Sequence, residues 1–199
     1  MDSQPPRFDD LRWLRRPLLL DQIIAETLAL GYDMGSEPFT GELLRTLAAS
    51  KPNGRFLELG TGTGLATTWL LDGMDSGSQL TSVDTDASVQ EIARTFLGSD
   101  KRLNLVLEDG LDFLRNAERE IYDFVFADVM PGKYEGLEDC LRVVKPGGFY
   151  VIDDMLPQPN WPAGHPEKIP VLMDQLANDP RLAIAPMSWA TGLVIAVKR

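Results

Sequence analysis

The chain has 199 residues, of which 44% are hydrophobic and 25% are charged, a composition typical of a globular domain and one that excludes a mainly disordered chain. Its 30 acidic and 19 basic residues give a net charge of −11, so the surface repels phosphate backbones and nucleic acid is not an expected partner. The single cysteine, Cys140, excludes an internal disulfide and is expected to be a small packed side chain on a helix.

Helical patterns fill the first fifty residues. Apolar residues recur at helical spacing over 9–30, where Pro17 is expected to divide the helix into two pieces. A second helix is predicted over 38–49, with Pro38 in its first turn. The basic residues near the start alternate with aromatic residues and are interpreted as the solvated face of an amphipathic helix: Arg7, Arg12, Arg15 and Arg16, with Phe8 and Trp13.

Short apolar runs alternate with helical patterns from residue 55 onward. The strand-like runs are 56–59, 80–83, 103–107, 124–127 and 149–152. Helices are predicted near 63–73, 87–97, 110–119, 134–144 and 167–178. This alternation predicts parallel strands joined by crossover helices, and the runs at 182–184 and 192–197 predict a closing antiparallel hairpin. The expected fold class is α/β, a Rossmann-like, doubly wound, mostly parallel sheet over residues 51–199 with ligands beyond the carboxyl ends of its strands.

Two segments of the chain bear on export and on membrane insertion, the first residues and the stretch 182–197. The first residues carry neither the cationic nor the apolar region of a secretory signal. The longest uncharged stretch, 182–197, is interrupted by Pro186 and Gly192 and is too short to span a bilayer. We therefore expect a cytoplasmic protein without a membrane partner.

A glycine-rich turn follows the first predicted strand, where Glu58-Leu59 leads into Gly60-Thr61-Gly62-Thr63-Gly64. Alternating glycines permit a sharp turn and bring bare backbone amides against a ligand before a helix begins. The dinucleotide fingerprint fails because its sixth position is Leu65, and a phosphate-binding Walker loop fails because no Gly-Lys-Ser/Thr follows.

These residues resemble the first motif of the class I S-adenosylmethionine-dependent methyltransferases, an acidic residue followed by Gly-x-Gly-x-Gly. Three further landmarks of that family follow in order: an acid ending the second strand (Asp84), an acidic turn after the third (Glu108-Asp109-Gly110), and the turn Lys145-Pro146-Gly147-Gly148 before the fifth. Asp86 is instead interpreted as a helix cap. The resemblance implies S-adenosylmethionine as cofactor, bound by Glu58, Gly60, Thr61, Gly62, Gly64, Asp84, Thr85, Asp109, Gly110 and Asp128.

Within that superfamily the chain is similar to the cation-dependent O-methyltransferases of the catechol and caffeoyl-coenzyme A type. The resemblance implies a Mg²⁺, Mn²⁺ or Ca²⁺ ion held by Asp128, Asp153 and Asp154, which would bind both oxygens of a vicinal diol on a small-molecule acceptor. Asp154 stands where that family has asparagine. The family's general-base lysine would fall at Pro131, two residues before Lys133.

The catalytic residues implied are Asp128, Lys133 and His165, the chain's only histidine, in a proline-rich loop beyond the fifth strand. For His165 a surface or capping role is the alternative. Residues 1–50 are expected to pack on the same domain, either as a lid over the cofactor with segment 34–41 nearest its methionine end or as the arm of a homodimer. Two other functions stay open: a metal-independent N- or O-methyltransferase that uses His165 or Lys133, and a cofactor-binding scaffold without catalysis.

Overall fold

A seven-stranded sheet organises the computed structural model, which describes residues 10–199. The strands are β1 (Arg55–Leu59), β2 (Gln79–Asp84), β3 (Leu103–Leu107), β4 (Tyr122–Ala127), β5 (Val144–Ile152), β6 (Leu182–Met187) and β7 (Leu193–Lys198). Their order is β3-β2-β1-β4-β5-β7-β6, with the first five strands parallel and β7 antiparallel to both neighbours. The predicted fold class and C-terminal hairpin are confirmed.

Within residues 10–199, seven α-helices accompany the sheet: α1 (Leu20–Leu30), α2 (Pro38–Ala49), α3 (Leu65–Gly73), α4 (Ala87–Leu97), α5 (Gly110–Asn116), α6 (Leu137–Val143) and α7 (Lys168–Asn178). A short 3-10 helix, Asp10–Trp13, precedes them. Pro17 lies between that helix and α1, as predicted, because proline lacks the N–H that a continuous helix needs. Arg7 and Phe8 of the predicted basic face lie outside the described residues.

The core has two layers, one on each face of the sheet. Phe56 and Phe124 lie on one face with ring centroids 5.4 Å apart and pack toward α2 and α3. Leu57 and Val125 point to the opposite face, where α6 and α7 cover them. Cys140 is buried in this second layer, and burial raises the pKa of its thiol. Parallel strands covered on both faces explain their near-continuous apolar sequence.

Strand β5 begins earlier than the sequence predicts. Val144 already pairs with Tyr122, and the register then shifts before Phe149 pairs with Phe124. Gly147, with φ +76°, lies within this irregular stretch. The predicted glycine turn is thus incorporated into the strand. In residues 10–199 no helix has the length and apolar character that crossing a membrane requires.

Candidate active site

The turn between β1 and α3 lies at the carboxyl edge of the sheet. Gly60, Gly62 and Gly64 have φ values of +98°, +51° and +93°, a backbone region that side chains with a Cβ rarely adopt. A Cβ on Gly60 would lie 2.6 Å from Val129 Cγ1, and one on Gly62 would lie 3.2 Å from the Tyr32 hydroxyl. The first two glycines line a cavity at this edge of the sheet.

Gly64 lies where two helices meet. It is the residue before α3, and a Cβ there would lie 2.9 Å from Ala93 Cβ on α4. It does not line either of the cavities described below. Gly64 therefore permits close packing of two helices, and its contact with a cofactor stays a prediction.

Glu58 is fully buried beneath the glycine turn. Its Oε2 accepts hydrogen bonds from the hydroxyls of Thr67, at 2.6 Å, and Ser82, and Ser82 is linked to Thr61 at 2.7 Å. The pKa of Glu58 is raised to about 7, chiefly by burial; the hydroxyls of Ser82 and Thr67 oppose the rise, and the charge of Asp84 adds to it. Glu58 does not line either of the two cavities described below and supports the turn from beneath, and its contact with a cofactor stays a prediction.

Asp84 ends β2 and does face the cavity. Its Oδ2 accepts a hydrogen bond from the Gly62 amide at 2.8 Å, and its Oδ1 accepts one from the Asp86 amide at 2.9 Å. Asp86 in turn accepts from the first amides of α4, which confirms its predicted capping role. The carboxylate of Asp84 is thereby fixed against the glycine turn, with further lone pairs available to a ligand.

Two neighbouring cavities share Gly60 and Asp84. The larger, with a volume of about 340 Å³, is lined by the glycine turn and by residues from segments 32–36, 128–133 and 161–165, together with Asp154. The smaller, of about 120 Å³, is lined by Thr85, Asp109 and Gly110. Asp109 also caps α5 by accepting hydrogen bonds from the amides of the helix's first turn.

The segment between α1 and α2 forms one wall of the larger cavity. Ser36 donates a hydrogen bond to Asp128 Oδ2 at 3.0 Å, and Tyr32 packs over Gly62. Burial, followed by the charges of Asp84 and Asp128, raises the pKa of Tyr32 to about 12. Sequence reasoning included Ser36 only within segment 34–41 and missed Tyr32, because neither belongs to a motif and only the packing of α1 brings them to the site.

Asp128, Asp153 and Asp154 follow the adjacent strands β4 and β5. Asp153 is buried, and its carboxylate accepts hydrogen bonds from the Thr191 hydroxyl and from the Asp154 amide. Asp154 has φ +59°, which turns the chain away at this point. Burial, and next the charge of Asp153, raises the pKa of Asp128 well above its usual value; burial likewise raises the pKa of Asp153 to about 6.

Lys133 reaches into the same cluster. Its side chain is 2% exposed, and Nζ donates a hydrogen bond to the backbone carbonyl of Asp153 at 2.8 Å. Burial lowers the pKa of the Lys133 ammonium, and the charges of Asp128, Asp154 and Asp153 oppose that change. Lys133 is thus a buried cation beside three carboxyl groups, of which Asp153 is buried and Asp128 and Asp154 are half-buried.

The predicted three-carboxylate metal centre is not formed. Across residues 10–199 no three acidic, histidine or cysteine side chains are arranged so that they could hold a metal ion. The physical reason is local: the Asp153 carboxylate accepts a hydrogen bond from Thr191, and the Lys133 ammonium, held on the Asp153 backbone carbonyl, already lies within reach of the charges of the three carboxyl groups. With the Lys133 ammonium in place, the residues present therefore do not fit a divalent ion.

His165 lies in the proline-rich loop after β5 and is 4% exposed. Its ring stacks on Trp161 with centroids 4.3 Å apart, and its Nε2 is 3.1 Å from the Tyr134 hydroxyl. Within the described part of the chain, His165 Nδ1 and Trp161 Nε1 are buried without hydrogen-bond partners. Burial, and next the charge of Lys133, lowers the pKa of His165, so the ring is neutral near pH 7. The alternative of a surface residue is wrong.

Comparison with known proteins identifies the family. Residues 57–155 match the family described as a methyltransferase domain. Tapetum-specific methyltransferase 1 of Arabidopsis thaliana is 30% identical over 156 residues, which are 70% of this chain and 67% of that protein. The chain belongs to the class I S-adenosylmethionine-dependent methyltransferases. A crystal structure of the Bacillus cereus O-methyltransferase in complex with SAH matches this methyltransferase with a TM-score of 0.80 at 20% identity, over 94% of this chain and 93% of that one.

Other relatives are matched over a smaller share of their own length than the Arabidopsis protein is. Mycobacterial proteins are 30–32% identical over 140 residues, which are 66% of this methyltransferase. The chain spans 62–64% of the length of those relatives.

Proposed function

We propose that this chain is an S-adenosylmethionine-dependent O-methyltransferase that acts on a hydroxyl group of a small molecule. The observation that carries the proposal is one cavity with two kinds of wall. The glycine turn and Asp84 line one side, while Asp128, Lys133 and His165 line the other. A cofactor site and a set of proton-handling groups therefore share one enclosed space.

The cofactor side offers groups suited to a nucleoside. The Asp84 carboxylate is an acceptor for ribose hydroxyls, since each charge-assisted hydrogen bond is short and strong. Thr85, Asp109 and Gly110 line the smaller cavity, which would hold the adenine. When bound, S-adenosylmethionine supplies a methyl group already activated by a positively charged sulfur. The task left to the protein is to orient the acceptor oxygen and to take its proton.

His165 is the proposed proton acceptor. Its ring is neutral near pH 7 and lines the cavity. Tyr134 and the stacked Trp161 fix the orientation of the ring, which lets a neutral imidazole act as base with little rearrangement. No step requires a metal ion.

Methyl transfer to a panel of small hydroxyl compounds tests the proposal. We expect an O-methyl product, identified by NMR, that depends on S-adenosylmethionine. We expect His165→Asn to lower kcat by 10²-fold or more while the affinity for S-adenosylhomocysteine, measured by calorimetry, stays within about twofold. His165→Asn is matched by Asn160→Ala, a change in the same loop outside the larger cavity. Exclusive N-methylation, or tight cofactor binding without turnover on any acceptor, would contradict the proposal.

A further inference from the structure

The end of the sheet at β4 and β5 gathers three carboxyl groups. Asp128 and Asp154 are half-buried and line the larger cavity, and the buried Asp153 lines an adjoining cavity together with them. Carboxylates this close to one another repel, so such a cluster favours a nearby cation. Lys133 is the cation at this place: its Nζ donates a hydrogen bond to the backbone carbonyl of Asp153 at 2.8 Å, and the charges of Asp128, Asp154 and Asp153 act on it.

The Lys133 ammonium has unused donors. It carries three N–H groups, and within the described residues only one of them makes a hydrogen bond, to the carbonyl of Asp153. The side chain is 2% exposed yet forms part of the wall of the larger cavity. The remaining donors are therefore available to an oxygen atom in that cavity. Leaving them unpaired would be costly, which favours a bound oxygen ligand.

We propose that the Lys133 ammonium acts as a built-in cation that holds the acceptor oxygen in place of a divalent metal ion. The inference rests on the proposed O-methyltransferase function and deepens it. A divalent ion offers several coordination positions and can bind two adjacent oxygens at once. An ammonium instead makes separate hydrogen bonds. The acceptor therefore needs a single hydroxyl rather than a vicinal pair.

Metal binding tests the charge role without any acceptor. We titrate MnCl₂ into wild type, Lys133→Met, Lys133→Gln and the control Lys145→Met, whose ion pair with Asp123 lies far from the cavity. Removing the Lys133 charge leaves the acidic cluster uncompensated, so both Lys133 variants should bind Mn²⁺ at least tenfold more tightly than wild type and show a raised Tm in its presence. The Lys145→Met variant should behave as wild type.

Two results would overturn this part of the proposal. Mn²⁺ binding to wild type as tight as to the Lys133 variants would mean that the ammonium does not occupy the cation position. Binding to none of the proteins would mean that the carboxylates do not form a cation position at all. If neither Lys133 variant folds, the wild-type protein alone tests the proposal. Its turnover should be unchanged by EDTA. Turnover that EDTA abolishes and Mg²⁺ restores would refute the proposal.

The acceptor requirement is measured with wild type and matched aromatic compounds that carry one hydroxyl or two adjacent hydroxyls. We expect kcat/KM for the single-hydroxyl compound to lie within about fivefold of the diol, and a 100-fold preference for the diol would overturn the inference. The absence of turnover on either class would instead count against the O-methyltransferase function. The Mn²⁺ titration would still report on the role of Lys133 in that case.

Discussion

Glu58→Gln perturbs the most deeply buried carboxyl group of the glycine turn. The side chain is fully buried, and only Oε2 has hydrogen-bond partners among the described residues, the hydroxyls of Thr67 and Ser82. Burial raises the pKa of Glu58 from 4.5 to about 7. The folded protein therefore binds a proton more tightly than the unfolded chain does.

The sign of the pH dependence follows from this difference. Stability from the protonated Glu58 is fully present below the unfolded pKa of 4.5 and is lost as the pH rises to the folded pKa of about 7. A pKa raised by this amount corresponds to roughly 3 kcal/mol of unfolding free energy, at ~1.4 kcal/mol for each tenfold change. Glutamine has nearly the same shape and does not ionise, so the variant should lack this loss.

Urea unfolding at pH 5 and pH 8, followed by the fluorescence of the buried Trp69, measures the effect. The unfolding free energy of Glu58→Gln minus that of wild type should increase by roughly 2–3 kcal/mol between the two pH values. Glu91→Gln, an exposed partner of Arg94, is the matched control and should change by less than about 0.5 kcal/mol. A difference for Glu58→Gln that stays constant between pH 5 and pH 8 would refute the reasoning.

Four further substitutions test the site and the core. Asp84→Ala removes the predicted ribose acceptor and should weaken S-adenosylhomocysteine binding about 10- to 100-fold by calorimetry, since a hydrogen bond to a charged group contributes about 1.5–3 kcal/mol; unchanged affinity would exclude that role. Gly62→Val places a side chain at φ +51° against Tyr32, so cofactor binding should be lost while the circular dichroism spectrum stays native. Gly41→Val sets a Cβ 2.2 Å from the Trp69 ring and should lower the unfolding free energy by about 3 kcal/mol from overpacking. Gly31→Ala, with nothing within 4 Å, should lower it by only about 1 kcal/mol because of its φ of +73°. A loss for Gly41→Val no larger than that for Gly31→Ala would contradict the packing argument.

Local sequence patterns determined the architecture and the side of the site formed by the glycine turn and Asp84. The strand and helix periodicities gave the parallel sheet and its hairpin because a strand buried on both faces and an amphipathic helix each require a fixed spacing of apolar residues. Gly60 and Gly62 were predictable from the sequence because their backbone conformations exclude other residues. Asp84 followed from its place at the end of a parallel strand next to β1.

The acceptor side of the site depended on tertiary structure. Sequence position placed Asp128 and Asp153 at the ends of neighbouring strands, but the direction of a side chain beyond a strand end is set by its packed neighbours. The hydroxyl of Thr191, 38 residues further along the chain, donates a hydrogen bond to the Asp153 carboxylate. The long side chain of Lys133 donates one to the backbone carbonyl of Asp153. Glu58 is turned inward by Thr67 and Ser82 in the same way. Motif spacing records which residues meet at the sheet edge, whereas hydrogen bonds between distant segments decide which of them face the ligand and which charge compensates the acidic cluster.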